Sequence, residues 1–215
     1  MTRQIPSMQN LEGADNVWTV RRGNLRSTAV ALADKGLCLY SPVEKTSKAF
    51  ADAKAVQFLL APNHYHNKGI SEHVTTYPEA ALVCSDAARP RLEKVTGRLF
   101  GSLSALSNAL PPIVDLVEPD GLKTGEVWMV IRTGSEVVWV VTDTFCGVLE
   151  KGDDAARLGF LKTFPKYGLQ DKQRLSIWIG NRLGTEVPSI VVPCHGEIVR
   201  GANLKPDMLA LLDTL

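Results

Sequence analysis

Apolar residues fall in short runs separated by turn residues, the pattern of a strand-rich chain. Residues 17–21, 27–32 and 36–40 read as three strands, and "ADKG" between the last two is a glycine-containing hairpin turn. Strands joined this closely predict an antiparallel meander. From residue 42 to 54 the period changes. Val43, Phe50 and Ala53 fall at helical spacing among mostly polar residues, which predicts a helix. "AVQFLLAP" (55–62) returns to strand and is apolar on both faces, as a buried central strand is.

Residues 71–77 read as a short helix and "EAALVCS" (79–85) as a strand. Ser85 or Asp86 is placed to cap a helix through Val95, with Pro90 near its first turn. In the second half "PPIVDLVEP", "GEVWMVIRT" and "SEVVWVVTD" read as strands, the last two joined by the tight turn "TGSE". Two helical stretches follow, at 154–163 and 171–183. "PSIVVPCHG" is the last strand, and 206–212 closes as a helix opened by Pro206. Strands dominate both halves and each half has its own helices. The expectation is a mixed α+β protein, a two-sheet core with helices on the outer faces. No Gly/Ser-rich or Pro-rich linker interrupts the 215 residues, so a single domain over 1–215 is expected.

Bulk composition narrows the function classes. Apolar residues make up 45 % and charged residues 22 %, which suits a globular chain. A net charge of +1 gives no bias towards nucleic acid or a membrane surface. The expected partner is a small-molecule ligand or substrate. The four cysteines, Cys38, Cys84, Cys146 and Cys194, form no CxxC pair. The first ten residues lack the apolar core of a signal peptide. A cytoplasmic location with reduced thiols is the reading.

The unusual polar residues cluster by position. "VQFLLAPNHYH" puts His64 and His66 just past an apolar strand, "VVWVVTD" puts Asp143 past another, and "IVVPCHG" puts His195 past a third. Carboxyl ends of strands are where α/β folds place their sites. In an extended segment residues i and i+2 share a side, so His64 and His66 could reach one ion. Imidazoles suit zinc and iron, and a carboxylate adds neutralising charge. Such a set with an open position fits a hydrolytic metal centre, where the ion lowers the pKa of bound water to about 7. The plainer alternatives are polar loop histidines, a turn-capping Asp143 and a hydrogen-bonded His195.

These segments, in this order, resemble the metallo-β-lactamase-fold superfamily over nearly the whole chain. The resemblance rests on "LYSPV", the HxH after the next buried strand, "VVTD" and "PCHG". "APNHYHNKGISEHVTTYPEAALVCSD" resembles one divergent branch of it, with "PN" before the histidines and "YP-A" after them. The resemblance implies a four-layer αββα sandwich and the metal motif HxHxDH. His64 and His66 match its first two positions, but Lys68 stands at the Asp position and Gly69 at the last His position. Asp143 matches the bridging Asp and His195 the late histidine. The family's mid-chain histidine has no match, since none lies between His73 and His195. That region offers Lys123, Thr124 and Glu126.

A two-metal site cannot be assembled from this set. The resemblance therefore implies at most one ion on His64, His66, Asp143 and His195, with zinc first and iron or manganese next. Lys68 is expected either to stand in for the missing cation beside Asp143 or to point into solvent. His73 is a further candidate ligand, or a surface or supporting residue. Three functions follow. One is a metal-dependent hydrolase in which Asp143 and His195 are the candidate catalytic residues. Another is a metal-free, non-catalytic binding protein with an anion-friendly pocket. The weakest is a nucleophile-based hydrolase on Cys194 or Cys146: adjacent Cys194 and His195 point to opposite faces of a strand, and no GxSxG elbow is present.

Overall fold

A computed structural model describes residues 7–50 and 55–215. The chain forms two compact units, Met1–Pro112 and Ile113–Leu215. In the first unit six strands lie side by side in sequence order. They are β1 (Gln9–Leu11), β2 (Ala14–Arg22), β3 (Leu25–Ala31), β4 (Leu37–Tyr40), β5 (Val56–Leu60) and β6 (Ala81–Val83). The expected meander is present as antiparallel β2, β3 and β4. β5 then lies parallel to β4 and β6, with a neighbour on both sides. Its buried Leu59 and Leu60 continue into buried Ala61, which explains the apolar run 58–61.

Three helices belong to this unit: α1 (Ile70–Thr76), α2 (Arg89–Thr96) and α3 (Leu103–Ala109). Val20, Leu37, Leu39, Phe50 and Leu59 pack together in one core. Ile70, Cys84, Ala88, Leu92 and Phe100 pack in another, which seats α1 and α2. α2 begins later than the sequence suggests. The Ser85 hydroxyl accepts from the Ala88 amide and closes the preceding turn, and Pro90 sits at the second helical position.

The second unit carries β7 (Val114–Val117), β8 (Trp128–Thr133), β9 (Glu136–Val141), β12 (Ile190–Pro193) and β13 (Val199–Arg200), ordered β13-β12-β9-β8-β7. β7, β8 and β9 are antiparallel, and β12 runs parallel to β9. β10 (Phe145–Val148) and β11 (Arg157–Phe160) form a separate hairpin. α4 (Phe164–Tyr167), α5 (Lys172–Thr185) and α6 (Leu204–Asp213) complete it. Trp128, Trp139, Phe145, Leu175, Ile179, Leu183 and Met208 share one core. Asp171 caps α5, accepting from the Arg174 amide at 3.0 Å.

Two expected helices do not form among the described residues. Residues 42–50 hold a single 3-10 turn, Ser47–Phe50, because Ser41 and Lys45 adopt left-handed backbone that a helix cannot contain. Glu72 from α1 instead holds this segment, accepting from the Lys45 and Ser47 amides. Ala53 and Lys54 lie outside the described residues. The stretch 154–163 holds strand β11, where Phe160 stacks on Phe145 with ring centroids 5.7 Å apart. Among the described residues no helix is long and apolar enough to cross a membrane.

Candidate metal centre

Three titratable residues of the second unit come together just outside its strands. Val141 of β9 pairs with Pro193 of β12 in parallel register. Two residues beyond these strand ends lie Asp143 and His195. His195 Nε2 is 3.0 Å from Asp143 Oδ1, with 18 % and 13 % of the two side chains exposed. On the other side of β9, Met129 of β8 pairs with Val140. Glu126 lies two residues before β8, and its carboxyl accepts from the amides of Thr142 and Thr144, on either side of Asp143. Glu126 is 1 % exposed. Burial pushes its carboxyl above the usual carboxylate range, and the charge of Asp143 pushes the same way.

The His195 turn is set by backbone contact. The Gly147 amide donates to the His195 carbonyl, and the Glu197 amide donates to the Gly147 carbonyl, both at 3.1 Å. A Cβ on Gly147 would lie 1.9 Å from the Glu197 carbonyl oxygen. Gly196 has φ +80°, and a Cβ there would lie 2.0 Å from the Gly147 carbonyl oxygen. Only two glycines allow β10 to run this close to the residues flanking His195.

The histidine pair of the first unit sits in a turn. The side-chain oxygen of Asn63 accepts from the amides of Tyr65 and His66, at 2.8 and 3.1 Å. This winds residues 63–69 into turns, so the extended-chain argument that puts His64 and His66 on one side does not apply. His66 Nδ1 lies 2.6 Å from the hydroxyl of Ser41. Ser41 is itself buried, and its carbonyl accepts from the Ser27 hydroxyl. One ring nitrogen of His66 is thus engaged by a fixed side chain, the usual means of orienting a ligating imidazole. His64 is half-buried and meets the Tyr65 ring edge-on at 4.5 Å.

Lys68 is exposed, as a lysine turned to solvent is. His73 is no surface residue: it is fully buried in α1. Gly69 packs against backbone, and a Cβ there would lie 2.2 Å from the Pro42 carbonyl oxygen.

No protein-family model matches the chain, and no curated protein matches it in sequence. Solved structures do match. A metallo-β-lactamase from Erythrobacter litoralis aligns with a TM-score of 0.67 at 15 % identity, over 100 % of this chain and 99 % of that one. A metallo-β-lactamase from Pontibacter korlensis gives 0.60 at 12 %, over 97 % and 100 %. This chain has the metallo-β-lactamase fold. The flavodiiron core of Flv1 from Synechocystis aligns at 0.61 and 12 % identity, with 98 % of this chain covering 61 % of that longer one. At such identities the metallo-β-lactamase likeness carries the fold, and the chemistry must come from the residues.

In this divergent metallo-β-lactamase-fold chain, the backbone of Pro42 and Val43 fills the space beside Gly69. The histidine that the family motif places there has no room. The thiols do not offer a nucleophile: all four cysteines are free, Cys194 is buried, and burial pushes the Cys146 thiol up. Sequence reasoning missed Ser41 and the Gly147–Gly196 contact, and it saw Glu126 only as a replaced histidine. Glu126 had a readable signal, a carboxylate directly before the apolar run "VWMVI".

Proposed function

We propose that the protein is a metal-dependent hydrolase with one divalent ion, for which Asp143 and His195 form a donor pair and His64 and His66, which match the family's HxH, are the further candidate ligands. The observation that carries this reading is the Asp143–His195 pair. Its two donor atoms are 3.0 Å apart and partly screened from water. Zinc ligands at 2.0–2.1 Å in tetrahedral array are about 3.3 Å from each other, so this pair suits two ligands of one ion. Two imidazoles and a carboxylate are donors that zinc, iron and manganese accept, and zinc is the ion to test first.

The residues have separable tasks. Ser41 fixes the ring of His66 through Nδ1. Asp143 and His195 would each give one donor atom to the ion, and Asp143 supplies the negative charge. A bound ion would contribute Lewis acidity towards an ester, amide, thioester or phosphoester oxygen. The aligned structures, metallo-β-lactamases and a metal-soaked flavodiiron core, support a metal on this scaffold. The reduced ligand set supports one ion. A small-molecule substrate and a cytoplasmic location complete the reading.

The test is elemental analysis of untagged protein purified without chelator, beside His195→Ala. About one zinc, iron or manganese per chain, lost in the variant, is the expected result. No metal in either sample after incubation with excess zinc would overturn it and leave a non-catalytic binding protein on the same scaffold.

A further inference from the structure

We propose that Glu126 is a positioning residue for Asp143, acting through the backbone on either side of it. Glu126 Oε1 accepts from the Thr142 amide at 3.3 Å and from the Thr144 amide at 3.4 Å. These are the two peptide groups that flank Asp143. The same oxygen accepts from Trp128 Nε1 at 2.7 Å, which ties the carboxyl to the first residue of β8. Glu126 therefore sits against the turn that carries Asp143, and His195 meets the Asp143 side chain.

The arrangement answers a local need. β9 ends at Val141, and its ladder partners on β8 and β12 end with it. The amides of buried Thr142 and Thr144 lie beyond the paired residues, and both donate to Glu126. One carboxyl oxygen meets both. Without it the turn would have to rotate to satisfy them, and Asp143 would rotate with it. A buried carboxyl is costly to keep, and an apolar residue would fill the same volume at less cost. Its retention beneath Asp143 is explained by the two amides. The remaining oxygen, Oε2, is also buried and has no hydrogen-bond partner among the described residues. The acceptor role thus rests on Oε1 alone, which glutamine can reproduce.

The test uses the full chain with labelled histidine and two variants. Glu126→Gln keeps an acceptor oxygen; Glu126→Leu keeps the volume and removes it. The first readout is made without metal: the His195 ring N–H resonance, held in slow exchange by its bond to Asp143. It is expected in the parent and in Glu126→Gln, and broadened or lost in Glu126→Leu. An unchanged resonance in Glu126→Leu would overturn the proposal, and so would equal loss in both variants. Should Glu126→Leu fail to fold, amide exchange in the parent decides. Slow exchange at Thr142 and Thr144 is expected, and fast exchange at either overturns it.

The second readout rests on the metal reading above. Zinc affinity by chelator competition should fall about tenfold or more in Glu126→Leu, the scale for losing the support of a ligand, and stay near the parent in Glu126→Gln. A parent that binds no zinc defeats the metal reading alone, because the ring resonance still judges Glu126.

Discussion

His73 Nδ1 lies 2.9 Å from the carbonyl oxygen of Gly69, one turn back along α1. A carbonyl can only accept, so Nδ1 carries the proton and Nε2 is bare. Nε2 is buried and has no partner among the described residues. Burial holds the His73 pKa below the usual histidine value, and the Gly69 bond and the nearby Glu72 charge only partly offset this. Tyr77, the other titratable group beside the ring, is pushed up to about 12 and stays neutral.

This fixes the sign of a pH effect. Above the unfolded value of about 6.5, both folded and unfolded His73 are neutral and contribute nothing. As pH falls through that value the unfolded chain takes up a proton that the folded chain refuses. Stability should therefore decline from about pH 7 downwards until the lowered folded pKa is passed. Melting temperatures of the parent and His73→Leu, measured from pH 7.5 to 5, should converge as the pH drops. Parallel curves would exclude His73 as the source.

Gly69 sets a limit on restoring the missing ligand. A Cβ at this position would meet the Pro42 carbonyl oxygen at 2.2 Å and the Val43 carbonyl carbon at 2.8 Å. Both neighbours are backbone and cannot swing aside. Gly69→Ala should cost about 1–3 kcal/mol in urea denaturation, the range for overpacking. Gly69→His should cost at least as much and bind no additional zinc. A second equivalent of zinc in Gly69→His would show that the loop yields.

Two glycines of the second unit should respond to alanine with opposite sign. Gly147→Ala drives a Cβ into the Glu197 backbone and is expected to lower stability by about 1–3 kcal/mol. The same change should weaken zinc binding, since Gly147 holds the His195 carbonyl. Gly180 lies inside α5, and its Cβ would meet nothing within 4 Å. Gly180→Ala should raise stability by about 0.4–1 kcal/mol and leave zinc affinity unchanged. Urea midpoints and chelator competition on both proteins check the pair.

The parts of this fold legible in the sequence were the apolar runs. Those at β5, β8, β9 and β12 could be placed because most of their side chains are buried. The polar residues that follow them therefore stood out as strand-end candidates. α5 was legible as a helical stretch from Asp171, the residue that the structure shows capping it. β10 and β11 were not: four residues each, with Gly147 and Gly159 inside, they are held by the Phe145–Phe160 stack rather than by any periodic pattern. α3 escaped because only Leu106 of its seven residues is buried.

At the site, Asp143 and His195 could be read as candidates, and their pairing needed the β9–β12 register. His64 and His66 could be found as a pair, but Asn63 winds their loop, and nothing in HxH spacing reports that. Ser41 beside His66 depends on a left-handed backbone residue 25 positions away, which no local pattern announces.

The parallel pairing of β9 with β12 also dictates when the centre can exist. Asp143 and His195 are 52 residues apart in the chain, and the intervening hairpin, α4 and α5 must be folded or bypassed before the strands can meet. Contacts of such long range form late, because the closure entropy comes before the reward. A chain stalled before β12 docks can have a built β7–β8–β9 meander with Asp143 at its end and still lack the imidazole beside it. Site assembly is thereby tied to completion of the second sheet, and the His195 ring resonance would be a direct clock for that last step of folding.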